Sequence, residues 1–227
     1  MKNIVFVADI ADDIDDLIAI EYLAVNGYLK CLVLDGKSND ESREKYLSDL
    51  GVTVTSEIPT DTKIIFCGGA LTKIADFVKT NEIDLLVANG GFAGSNVVAE
   101  PLEKFRGKNK IRTYNFNMDI LATLEVINSP NINETILVSK NVCHSAENVI
   151  GKIHTDEFLK NHELSDTKRL HDLLMVKEGV NYLNNNEMIC EYLNVNPIIE
   201  PRYPDNMSLW GSEPNPTSKI KISIKYK

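Results

Sequence analysis

"VADIADDIDDLIAI", residues 7–20, runs out of an apolar stretch into five aspartates within eight positions, Asp9, Asp12, Asp13, Asp15 and Asp16, and then into helical apolar spacing. It reads as strand, acidic turn, helix. The preceding "NIVFVAD" is apolar at consecutive positions instead of alternating with polar residues, the pattern of a strand covered on both faces. The same unit recurs as "LKCLVLD" then "ESREKYLSDLG" and as "KIIFC" then "ALTKIADFVKT", and further strands are "IDLLVANGG" and "ETILVSK". Strands alternating with helices predict an open doubly wound α/β fold, a mostly parallel sheet with helices on both faces. At 227 residues the chain is expected to form one domain, residues 1–227, and a linker is hardest to exclude around residues 53–62.

In such sheets ligands bind beyond the carboxyl ends of the strands. Those ends carry Asp9 and its neighbours, "DGKSN" (35–39), "CGGA" (67–70), "NGG" (89–91) and "KNVCH" (140–144). The glycines there permit tight strand-to-helix turns and form neither a dinucleotide fingerprint nor a P-loop. In the last third, "DTKRLHDLLMVKEGVNYL" reads as a helix with Leu170, Leu173, Leu174 and Val180 inward. "RYPDNMSLWGSEPNPTS" reads as loop and "KIKISIKYK" as a final exposed strand.

The charge of −9, from 24 basic and 33 acidic residues, argues against nucleic acid and membrane surfaces as partners and leans against phosphorylated substrates. A metal or a neutral or cationic small molecule is better matched. No apolar run reaches the roughly 20 residues of a membrane span, and the N-terminus turns acidic too early for a signal peptide, so a cytoplasmic protein is expected. Four scattered cysteines, Cys31, Cys67, Cys143 and Cys190, form no C-x-x-C pair and are expected to be reduced.

One or two aspartates would suffice to cap a helix. Like charges about 4 Å apart repel by roughly 4 kcal/mol at an effective dielectric near 20, so five require cations or protonation. A divalent ion resolves the conflict, and oxygen donors without local His or Cys suit calcium or magnesium, although the EF-hand loop pattern is absent. Capping with solvated charge stays open as the alternative.

The aspartate stretch resembles the N-terminal signature of the inosine-uridine nucleoside hydrolase family, in the variant D-I-G-S-D-I-D-D, here "DIADDIDD". Later segments agree in order. "CGGALTKIA" (67–75) resembles the family's T-G-x-L-T-N-L-A, "VANGGFAGSN" (87–96) its M-G-G stretch, and "TYNFNMD" (113–119) its E-F-N-x-x-x-D. "ILVSKNVCHS" (136–145) resembles the strand and turn before its base-side loop, and "RLHDLL" (169–174) its late His-Asp pair.

The resemblance implies calcium-dependent hydrolysis of the N-glycosidic bond of a ribonucleoside to ribose and free base, as in purine and pyrimidine salvage. Asp9 would ligate Ca²⁺ and take the proton from the attacking water, Asp16 and Asp172 would complete the ligands with a backbone carbonyl near Gly68, and Asp15 would accept from a ribose hydroxyl. Asn39, Asn96 and Asn115 are candidates for ribose hydrogen bonds, Asn115 through its four-residue spacing to Asp119. His171 would face the leaving base, a structural role being the alternative. His144, at a strand end, is read as a substrate contact or a structural turn residue, and Trp210 as core edge or base-pocket cover. Relatives are commonly dimers or tetramers, so a homo-oligomer is expected.

Three departures stand out. Thr113 occupies the place of a glutamate, Ala11 that of a glycine, and the region between Asn39 and Ile65, where a substrate-covering loop usually lies, is short. These leave a second hypothesis, a catalytically weakened binder of nucleosides or ribosyl metabolites with the same metal pocket. A third, a haloacid-dehalogenase-like phosphohydrolase, needs D-x-D, and residue 11 is alanine.

Overall fold

The computed structural model describes residues 3–10, 14–35, 41–202 and 207–227. The opening run forms β1 (Ile4–Ala8), buried at every position, and the helix after the aspartates is α1 (Ile14–Val25). There follow β2 (Leu29–Leu34), α2 (Glu41–Asp49), β3 (Val54–Thr55), β4 (Ile64–Cys67), α3 (Thr72–Val78) and β5 (Ile83–Asn89). Then come β6 (Lys110–Ile111), α4 (Tyr114–Met118), α5 (Ile120–Asn128), β7 (Ile132–Val138) and the short α6 (Lys140–Cys143). The chain ends with α7 (His171–Asn184), β8 (Cys190–Glu200), β9 (Leu209–Pro214) and β10 (Ile220–Tyr226).

Among the described residues these strands form one sheet in the order β3-β2-β1-β4-β5-β7-β10-β8-β9-β6. From β3 to β10 neighbours run parallel, and β8, β9 and β6 extend the sheet antiparallel. The mostly parallel α/β sheet is the expected one. Its two covered faces explain the unbroken apolar strands. Ile4, Phe6 and Ala8 of β1 pack in the core that holds residues of α1 and α7, while Val5 and Val7 pack in the opposite core with residues of α3 and α5. Successive strand side chains point to opposite faces, so a strand between two helical layers is apolar throughout. At Gly179, α7 sits so close to β4 that a Cβ would stand 2.3 Å from the Phe66 ring.

The C-terminal third departs from the sequence reading. "SLWGSEPNP" contributes β9 and not only loop, and β8 precedes it. Strand β10 is internal, paired with β7 on one side and β8 on the other, and Ile222 and Ser223 are buried. Its lysines suggested an exposed strand because alternating charge normally faces water. Here Lys221 is answered by Glu134 of β7 and Lys225 by Glu191 of β8. Polar contacts lock the strand in: Ser139 Oγ donates to the Ser223 carbonyl at 2.6 Å, and Ser223 Oγ accepts from Ser139 N–H at 2.8 Å. Helix α7 starts at His171, and Leu170, Leu173, Leu174 and Val180 are buried as read from the sequence. Residues 53–62 include β3, hydrogen-bonded to β2. Among the described residues no helix is long and apolar enough to cross a membrane.

Candidate functional site

The carboxyl ends of β1, β4 and β5 bring Asp9, Cys67–Gly69 and Asn89 to one edge, where the amino ends of α1 and α7 meet them. Asp16, in the first turn of α1, and Asp172, in the first turn of α7, are both buried. They converge over Gly68: a Cβ there would lie 2.8 Å from Asp16 Oδ1 and 3.1 Å from Asp172 Oδ1. Only glycine leaves room for both carboxylates at this point. Residues 156 positions apart are thus brought to one spot by the side-by-side packing of α1 and α7.

Polar contacts hold the arrangement. Asn89 Nδ2 donates to Asp172 Oδ1 at 2.8 Å. Asn115 Nδ2 donates to the carbonyls of Gly68 at 2.6 Å and Asn89 at 2.9 Å, bridging two strand ends. The Gly68 carbonyl, expected to face a metal, therefore accepts from Asn115, and Gly68 also gives the carboxylates their space. Asp9 is half-buried beside this turn, its backbone N–H lying 3.3 Å from where a Gly69 Cβ would be.

Asp15 has a place that its sequence position conceals. It precedes most of α1, yet its Oδ2 accepts from the backbone N–H groups of His171 at 2.6 Å and Asp172 at 3.1 Å. It caps the helix across the site, α7, whose own N-cap residue Leu170 offers no side-chain acceptor. The capping alternative thus holds for one aspartate of the cluster, on a different helix from the one anticipated. Asp119 is likewise a cap, accepting from Ala122 N–H at 2.9 Å and from Thr72 Oγ1 at 3.1 Å.

His171 faces His144 with ring centroids 5.3 Å apart. His144 is held edge-on to Phe105 at 5.9 Å, with Lys140 Nζ 3.5 Å from its Nε2. Burial, followed by the charges of Lys140 and Lys104, pushes its pKa down to about 3, so the ring is neutral near pH 7.

Asn96 and Trp210 are separated from this cluster by their contacts. Asn96 is exposed and donates to the Ser212 carbonyl at 2.8 Å, tying its loop to β9. Trp210 is fully buried against Phe116, with ring centroids 5.1 Å apart, and belongs to the core. Asn39, Asp12 and Asp13 lie outside the described residues, as does Ala11. Thr113 is fully buried at the amino end of α4 and presents nothing that replaces a glutamate.

Two residues that the sequence placed at strand ends but gave no role, Asn89 and Asp35, complete the edge. Asn89 positions Asp172, and its signal was a polar residue at a strand end directly before two glycines. Asp35, after β2, has its pKa raised by burial and then, against the opposing pull of Lys73, by the charges of Asp9 and Asp119. Among the described residues its Oδ2 is buried without a hydrogen-bond partner. Among the described residues no three His, Cys, Asp or Glu side chains already surround one point, and the convergence is a pair, Asp16 with Asp172. The two converging carboxylates are hard oxygen donors, which fit a cation such as calcium.

No known family profile matches the chain. An uncharacterized protein from Aquifex aeolicus (strain VF5) is 37% identical to it over 83 residues, 34% of this chain and 28% of that protein. The matched stretch spans less than a third of that relative's length.

Proposed function

We propose that the chain hydrolyses the N-glycosidic bond of a ribonucleoside to ribose and free base in a calcium-dependent reaction. The observation that carries the reading is the convergence of Asp16 and Asp172 over Gly68, with Asn115 and His171 around it. These are residues that the family resemblance assigns to one site, and they come from four separate stretches of the chain.

Asp16, Asp172 and Asp9 would hold the cation, which when bound would acidify a water and fix the ribose hydroxyls. Asp9 takes one proton from the attacking water on its carboxylate. The water oxygen bonds to C1′ while the C1′–N bond breaks, its electron pair leaving with the base. His171 donates a proton to that base, beside a neutral His144. The buried carboxylates stabilise the positive charge that develops on the sugar. Asp15 fixes the start of α7 and so the direction of His171 and Asp172.

Reducing-sugar release from purine, pyrimidine and modified ribonucleosides, with calcium and with chelator, tests the reading. Calcium-dependent release supports it. Burial of Thr113 favours a second reading, a binder of ribosyl metabolites. That reading expects a nucleoside to raise the Tm only with calcium and no sugar to be released.

A further inference from the structure

Beside the carboxylates, the histidine side of the site is lined with cations. Lys140, at the start of α6, is half-buried with Nζ 3.5 Å from His144 Nε2. Lys104, in the 3₁₀ turn Glu103–Phe105, places its Nζ 4.9 Å above the Phe105 ring, which in turn packs on His144 at 5.9 Å. Arg169, two residues before His171, donates from Nε to the Ser145 carbonyl at 3.2 Å. The charges of all three bear on His144, and those of Arg169 and Lys140 bear on Lys104. Among the described residues none of the three pairs with a carboxylate, in a chain where acids outnumber bases 33 to 24 and most other lysines find one. Withdrawing a lysine from water among other cations is unfavourable unless an anion completes the site.

We infer that Lys140, Lys104 and Arg169 form a receptor for an anionic oxygen group, phosphate or carboxylate, on the substrate, so that the preferred N-riboside carries negative charge. This rests on the proposed hydrolase reading for its catalytic half. The overall charge of −9 pointed the other way, but the net charge includes the carboxylate floor and the far surface, whereas a bound group feels its neighbours within a few ångströms. The site is therefore two-sided, acidic beneath the sugar and basic along the histidine wall. Anionic oxygens against lysine and guanidinium N–H groups form charge-assisted hydrogen bonds.

The first test is calorimetric titration of the full chain with inorganic phosphate in chelator, which does not depend on catalysis. Saturable binding is expected, weakened about tenfold or more in Lys140→Met and in Lys104→Met and restored by Lys140→Arg. Failure to saturate, or equal binding by the variants, overturns the inference. The second test compares kcat/KM in calcium for an uncharged ribonucleoside, its 5′-monophosphate and a ribonucleoside with a carboxylated base. Preference for the monophosphate or for the carboxylated base supports the receptor and tells the two sources of charge apart, and Lys140→Met should lower that preference about tenfold. Turnover of the uncharged substrate alone overturns the inference and leaves the hydrolase standing. Phosphate binding that Lys140→Met weakens, without hydrolysis of any substrate, keeps the receptor and removes the hydrolase.

Discussion

Gly68 is where sequence most directly becomes chemistry. Its missing Cβ is the space between Asp16 and Asp172, and its φ is not of the kind that itself demands glycine. Gly68→Ala should therefore abolish a calcium-induced rise in Tm while costing about 1–3 kcal/mol of stability in urea through overpacking. A normal calcium response would show that the two carboxylates do not share an ion. Glu178 tests burial instead of space. It is fully buried on α7, its Oε1 accepting from Cys190 N–H at 2.9 Å, and burial pushes its pKa up to about 7. A raised acid pKa means the folded chain binds more protons than the unfolded one between about 4.5 and 7, so stability falls as pH rises through that window. Glu178→Gln lacks this penalty. Denaturation at pH 5 and pH 8 should show the variant gaining up to roughly 3 kcal/mol on the wild type at the higher pH. Parallel curves would mean that Glu178 stays near its ordinary pKa.

At the scale of elements, α1 and α7 act as one unit joined by Asp15. An aspartate that supports both leading amides of another helix ties the orientation of His171 and Asp172 to α1. Asp15→Ala should cost about 1–2 kcal/mol by urea denaturation, as loss of a cap does, and Asp15→Asn should recover part because its amide oxygen still accepts. Loss of only a few tenths by the alanine variant would contradict the capping role. The α1 helix itself was legible in the sequence because its apolar spacing starts directly after the aspartates. The partner of Asp15 was not legible, since a cap reaching across 156 residues leaves no local pattern. Lys140 and His144 were visible as strand-end residues, but the cationic wall was not, because Lys104 and Arg169 reach it from other parts of the chain.

At the scale of the molecule, the unbroken apolar runs of β1, β2, β4, β5 and β7 announced a doubly covered parallel sheet. The C-terminal strands hid because their pattern is that of an edge. Strand β10 carries alternating lysines yet lies between β7 and β8, a position that depends on acids supplied by Glu134 and Glu191. Removing residues 220–227 should therefore leave two unpaired strand edges, and circular dichroism should show loss of cooperative melting. A truncated chain that melts cooperatively would place β10 outside the folding unit. The motifs of the family resemblance meet at this edge of the sheet in Asp9, Asp16, His171 and Asp172, whereas Asp15 and Asn115, expected to bond ribose, bond the backbone of α7 and the carbonyls of two strand ends. Asn96 ties its loop to β9, and Asn89, visible in the sequence only as a strand-end residue, takes its contact with Asp172 from which strand end lies beside which. In the proposed reaction this edge of the sheet cleaves an N-glycosidic bond with Asp9 as the base. The most direct measurement is initial-rate reducing-sugar release by wild type and Asp9→Asn in saturating calcium, on the best substrate of the nucleoside panel. Asp9→Asn should lose about 10²–10⁴-fold in kcat, the range of a general base. Equal rates, or no release by the wild type from any nucleoside, would contradict it.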